Sequence, residues 1–298
     1  MKQYSEKDLV DTLKKVGIKK GSTILIHSAI HALGKMNSVK NEYIPKKIYY
    51  CIKKYLGHKG TIIVPGFFYN YARKKKYFDL YKSPPCHSLG IFSNYVFKNQ
   101  NFIRSKNPIT SLIAVGHLAN KICQKSNSRP YGANSAWEKL TNYNSSILFL
   151  GIPLAESLNY IHYIEFLAGV PHMYVKKFNI PIKQNGKIIE KETFAYVRYL
   201  DFNIKVDLKK FEKDLKNKGL LKTQKIGSGF ILSGGIAEED RELWPDQYIS
   251  EQTEPEHDGF VMSVLMPQLS HYREMTRLLM YDAKAAAYKG DAKRCKKD

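Results

Sequence analysis

Arginine is scarce in this 298-residue chain: of 48 basic residues eight are arginine, at positions 73, 104, 129, 198, 241, 273, 277 and 294, and the rest are lysine. Acidic residues number 27, which leaves a formal charge of +21. Proteins that read nucleic acids lean on arginine for bidentate contacts, whereas lysine acts as a point charge. Lysine here accompanies abundant Asn, Ile and Tyr, which reads as a compositional bias, and a basic nucleic-acid-binding protein is therefore the third-ranked reading. Cysteine is also sparse. Cys51, Cys86, Cys123 and Cys295 form no C-x-x-C pair, which excludes a disulfide framework or a zinc site and fits reduced thiols. No run approaches the ~18 apolar residues of a membrane span. The N-terminus, Met1 to Asp8, lacks the apolar stretch of a signal peptide, so the expected location is the cytoplasm. Phosphate loops, dinucleotide fingerprints, G-x-S-x-G elbows, H-E-x-x-H helices and EF-hand loops are absent. Gly227-Ser228-Gly229 and Gly234-Gly235 lack the lysine and helix of a phosphate cradle and read as turn punctuation.

What is present is a globular composition, 43% hydrophobic and 12% aromatic, long enough to bury a core without covalent staples. Ser5–Val16 reads as a helix capped by Ser5 and stopped by Gly17, and Ile44–Leu56 as a second ending at Gly57. Thr23–His27, Gly60–Gly66, Ser111–Val115 and Ile147–Leu150 are short apolar runs between turn residues and read as buried strands. Leu118–Gln124 and Ala136–Leu140 suit short helices between them. Residues 178–206 alternate like a hairpin with Asn185-Gly186 at its turn, and Ser270–Tyr288 reads as a terminal helix before eight frayed residues. Strands alternating with helices predict an α/β fold, a layered α/β/α arrangement with a mixed, largely buried β-sheet. Residues 1–235 carry 39 basic and 14 acidic residues, whereas 236–298 carry 9 and 13. That shift divides the chain into a core, 1–235, and an acidic C-terminal segment, 236–298, packed upon it.

Three places could hold chemistry. His162 and Glu165 stand three apart just past the strand at Ile147–Leu150. On a helix that spacing lets the carboxylate bond the imidazole and favour the imidazolium formed when the ring accepts a proton, and strand ends of α/β sheets are common ligand sites. A surface ion pair is the plain alternative. His27-Ser28 closes the first strand and Arg104-Ser105 opens a loop toward Ser111, where an arginine beside a hydroxyl suits a phosphate. A core histidine and a surface arginine are the corresponding bland readings.

Taken in order, His27-Ser28-Ala29 with Leu33-Gly34, Gly60 to Pro65, Arg104 to Ser111, Ala114-Val115-Gly116, Gly132 with Ser135-Ala136-Trp137, Leu148 to Gly151 and His162-Tyr163-Ile164-Glu165 resemble the aminoglycoside 3-N-acetyltransferase family. The likeness covers residues 1–175, fades through 176–230 and is absent beyond about 235. It implies a non-GNAT acetyltransferase fold and transfer of acetyl from acetyl-CoA to a primary amine on a sugar ring, with no metal. Carried over by position, it makes His162 the general base and Glu165 its orienting partner. Asn159 stands where the family usually has threonine. His27, Ser28, Leu33, Arg104 and Ser105 would line the coenzyme A site, with Arg104 near a phosphate. Transfer would be direct, both substrates aligned in one cleft.

The charge bears on the acceptor. A strongly basic field attracts anions and repels polycations. The expectation is therefore a nucleotide-linked (dTDP- or UDP-) amino sugar, in surface-polysaccharide synthesis, with an aminoglycoside as the runner-up acceptor. The partners expected are this small molecule and at most a second copy of the chain in a homodimer, with no membrane and no nucleic acid.

Overall fold

Seven strands make the central sheet. They are β1 (Thr23–Ser28), β2 (Thr61–Pro65), β3 (Ile103–Arg104), β4 (Leu112–Gly116), β5 (Ser146–Leu150), β6 (Leu221–Ile226) and β7 (Gly229–Gly235). The computed structural model describes residues 2–170, 172–199 and 208–235. Their order across the sheet is β6-β7-β5-β1-β2-β4-β3. β1 runs parallel to β2 and β5, and the outer pairings are antiparallel. The mixed, buried sheet expected from the apolar runs is what forms.

Alternation along each strand builds two cores. Ile24, Ile26, Ile62, Val64, Ile113, Leu148 and Leu150 face one side, where helices α1 (Glu6–Lys15), α2 (Ile44–Leu56) and α3 (Gly90–Asn99) cover them with Leu9, Leu13, Ile48, Ile52, Phe92 and Val96. Leu25, Ile63, Leu112, Ala114, Ile147 and Phe149 face the other. There they meet Trp137 of α4 (Ala136–Asn142), Ile161 of α5 (Ile161–Ala168) and Phe211 of α6 (Lys209–Asn217). Period-2 alternation on strands sandwiched by period-3.6 faces is the physical basis of the three layers.

The first helix begins as its residues dictate: Ser5 Oγ accepts from Asp8 N at 3.1 Å and Asp8 Oδ2 accepts from Ser5 N at 2.8 Å, a reciprocal cap. The Asn185-Gly186 turn also forms, with φ of 50° and 82°, between strands Ile182–Gln184 and Lys187–Glu190. The region around it holds more than one hairpin, because Met173–Phe178 pairs separately with Thr193–Arg198.

Other expectations need correcting. Gly234-Gly235 is not a turn: both residues lie in β7 and pair with β5, and Gly234 pairs with β6 as well. Glycine content hid a strand whose pairing comes from its neighbours. The helix expected over Leu118–Gln124 is shortened to Asn120–Gln124. Among the described residues no helix is long and apolar enough to cross a membrane. The expected helix Ser270–Tyr288 and the acidic segment 236–298 lie outside the described residues.

Candidate active site

The carboxyl ends of the adjacent parallel strands β1 and β5 meet in register, His27 beside Phe149 and Ser28 beside Leu150. Ala29 N donates to Leu150 O at 2.8 Å. The chain then turns at Gly151, whose φ is +70° and whose absent Cβ would lie 2.7 Å from Ala29 O. That close approach requires glycine. A short helix, Leu154–Ser157, follows, tied to α6 by Ala155 N donating to Glu212 Oε2 at 2.9 Å. From there the chain enters α5, which Gly169 ends in the left-handed conformation, φ 63°.

His162 and Glu165 lie in the first turns of α5, and the spacing places them on one face. His162 Nδ1 is 2.6 Å from Glu165 Oε2. The carboxylate is 1% exposed and the imidazole 45%. Burial raises the Glu165 pKa, but hydrogen bonds and charge from His162 and His172 outweigh it, so the carboxyl sits below its ordinary value. An Nδ1–H held by a carboxylate leaves Nε2 with its lone pair, the tautomer that accepts a proton. Asn159 lies one turn earlier, its carbonyl accepting from His162 N at 3.2 Å.

His27 is 5% exposed and stacks on Phe149, ring centroids 5.5 Å apart. Burial drives its pKa down to about 3, so it is neutral. Among the described residues, His27 Nε2 and Ser28 Oγ are buried without a hydrogen-bond partner. They lie at the same strand end but on opposite faces of the sheet, His27 with Phe149 and Ser28 with Leu150, and each is a polar atom that a ligand reaching the end of β1 would satisfy. The N-terminus of α3 abuts Ser28, since a Cβ on Gly90 would lie 2.7 Å from Ser28 O.

The other three residues expected in the coenzyme site, Leu33, Arg104 and Ser105, have buried side chains. Arg104 is 1% exposed. Its guanidinium donates to the carbonyls of Leu80, Ser83 and Gly66 and to Ser111 Oγ, and it lies 4.5 Å from the Phe78 ring centroid. With its donors spent on carbonyls, it binds the loops following β2 rather than a phosphate. Burial lowers its pKa and Asp79 raises it; a guanidinium stays protonated in either case. Ser105 is also buried, its Oγ accepting from Leu112 N at 2.9 Å. The Leu33 side chain is fully buried in the core, while its carbonyl accepts from Ser228 N at 2.9 Å.

Sequence reasoning missed His172. It is 4% exposed, and its Nε2 is 3.5 Å from Glu165 Oε1. The signal was there in principle: Gly169 stops α5 four residues after Glu165, so the chain must fold back past the carboxylate. Tyr131 was missed as well; it is fully buried, and burial first, then the charge of Glu165, raises its pKa.

A sequence model of the aminoglycoside 3-N-acetyltransferase family matches residues 25–236. Aminoglycoside N(3)-acetyltransferase III of Pseudomonas aeruginosa is 24% identical over 200 residues, 62% of this chain and 72% of that protein. Among solved structures, AAC-VIa bound to sisomicin superposes with a TM-score of 0.66 at 16% identity, over 78% of this chain and 93% of its own. AAC-IIIb in a binary complex with CoASH gives 0.63 at 19% identity, over 78% and 92%. At these identities the structures share the fold.

The nucleotide-linked amino sugar, and with it a role in polysaccharide synthesis, is overturned, because the matching family and its relatives are aminoglycoside acetyltransferases. Net charge was the wrong guide: ions screen a charge beyond about 8 Å at physiological salt, so a cleft answers to its local groups. The chain belongs to the aminoglycoside 3-N-acetyltransferase family and is an acetyltransferase.

Proposed function

We propose that the protein transfers acetyl from acetyl-CoA to the 3-amino group of an aminoglycoside, with His162 as general base. The observation that carries this reading is the His162–Glu165 pair, 2.6 Å apart, buried carboxylate behind half-exposed imidazole, within the segment the family model spans. CoASH bound to AAC-IIIb and sisomicin bound to AAC-VIa support the donor and the acceptor class.

The amine nitrogen attacks the thioester carbonyl carbon. As the C–N bond forms, His162 Nε2 takes the amine proton; Glu165 stabilises the imidazolium. The C–S bond then breaks, and the coenzyme thiolate leaves and recovers that proton as the thiol. The Asn159 amide donates to the developing thioester oxyanion. His27 Nε2 and Ser28 Oγ hold polar groups of the donor at the β1 end. Direct transfer of this kind depends on alignment in one cleft rather than on a covalent enzyme intermediate.

Release of coenzyme A thiol by the purified protein tests the reading. Kanamycin- or gentamicin-type amines should turn over and gain one acetyl group at the 3-amino position. His162→Asn should lower kcat by about 10²- to 10⁴-fold. No turnover of any aminoglycoside, or an unchanged kcat in the variant, would sink it.

A further inference from the structure

Glu165 is a carboxylate with two oxygens and almost no exposure, and the dyad uses one of them. Oε2 faces His162 Nδ1 at 2.6 Å, while Oε1 faces His172 Nε2 at 3.5 Å. Among the described residues no lysine or arginine pairs with Glu165, and Tyr196 Oη donates to its backbone carbonyl, at 3.3 Å, rather than to the carboxylate. The neighbouring titratable groups are therefore His162 on α5, His172 ahead of the Met173–Phe178 strand, Tyr131 from the loop before α4 and Tyr196 from the Thr193–Arg198 strand. A buried carboxylate oxygen without a donor carries a desolvation penalty, which is relieved when the group takes up a proton.

His172 is built into place. Its carbonyl accepts from Tyr199 N at 3.1 Å, and Val170 N donates to Glu165 O at 3.2 Å, so both ends of the return from α5 are pinned. Its side chain is 4% exposed, and among the described residues its Nε2 has no hydrogen-bond partner, the 3.5 Å approach to Glu165 Oε1 being longer than a formed bond. A buried imidazole nitrogen with no other partner, aimed at the free oxygen of the dyad's carboxylate, has one available task. Hydrogen bonds of this kind are often long in a resting enzyme and tighten in the reacting complex.

We propose that His172 is a positioning residue of the reaction: its Nε2–H donates to Glu165 Oε1 and keeps the carboxylate ionised and aimed at His162. The catalytic group is thus a His–Glu–His relay, one imidazole facing substrate and the other the interior. The inference rests on the role proposed for His162. It adds that the pair functions through a third residue, which the sequence motif does not contain.

The test compares His172→Gln, which keeps an N–H donor, with His172→Met, which does not. Methionine should lower kcat roughly ten-fold or more with the KM for acetyl-CoA and for the amine unchanged, and glutamine should restore most of it. In the resting protein, the ¹³C carboxyl titration of Glu165 should move to higher pH in the Met variant and stay near the wild-type position in the Gln variant. Equal losses in both variants, or an unmoved Glu165 titration, would overturn the proposal. The titration needs no substrate. Failure of the aminoglycoside assay would therefore leave it readable, and failure of the titration alone would leave the general-base reading standing.

Discussion

His27 shows how one residue ties a binding site to stability. Buried against Phe149, it has its pKa driven down to about 3 from an ordinary 6.5. The unfolded chain binds that proton more readily than the folded one, so stability is intact above pH 6.5 and is lost as pH falls toward 3. The slope in that window should reach about 1.4 kcal/mol per pH unit. His27→Gln should flatten it, as read from urea melts between pH 7 and 4.5; an unchanged slope would show that the histidine titrates normally. Arg104 tells the opposite story. Its bonds to the carbonyls of Leu80, Ser83 and Gly66 mean that Arg104→Lys strands acceptors in the interior. The loss should be about 3 kcal/mol of stability, with the KM for acetyl-CoA unchanged in the folded fraction. A raised KM without loss of stability would return Arg104 to the coenzyme. The segment Arg104 to Ser111 marked the family but reports the fold. Asn107 illustrates this, its Oδ1 accepting from Thr110 N at 3.0 Å and its Nδ2 donating to Phe194 O at 2.7 Å. A motif read as text does not distinguish side chains that touch substrate from those that hold a loop.

At the scale of elements, the junction between β5 and α5 is the most constrained. Gly151 passes so close to Ala29 O that Gly151→Ala meets both a backbone clash and a left-handed φ. It should cost more than about 1 kcal/mol and lower kcat further by moving the His162 helix, whereas Gly57→Ala, with open space at the Cβ position, should bear the φ penalty alone. Denaturant midpoints and kcat for the two variants separate these effects. The strands and helices easiest to read were those with strong internal pattern: Ile44–Leu56 was legible to the residue, and the four apolar runs lie in β1, β2, β4 and β5. Illegible were elements whose existence depends on a partner. β6 alternates weakly, with Leu221 and Ile226 buried at its ends, and β7 begins and ends in glycine. In the site, His162 and Glu165 were visible because a separation of three positions puts both on one helix face. His172 was not, because its contact crosses a helix stop.

Across the whole molecule, the charge of +21 remains a physical fact about substrate encounter. On the proposed reading the acceptor is a polycation and the donor a polyanion, so the long-range field favours one and opposes the other. Raising ionic strength from about 20 to 200 mM shortens the screening length roughly three-fold. kcat/KM for the aminoglycoside should therefore rise with salt while that for acetyl-CoA falls. Parallel changes for both substrates would place local cleft charge above the global field. The order of the sheet has a different consequence. β5, which leads to the candidate base, is flanked by β1 and by β7, and β7 lies at residues 229–235, well over half a hundred positions after His162 along the chain. While the ribosome is still making the intervening segment, one edge of β5 has no partner and offers its free amides and carbonyls to any other strand nearby. The scaffold beneath the reaction is thus closed late in synthesis, and the interval before β7 emerges is when a nascent chain is most exposed to joining its neighbours on the same polysome.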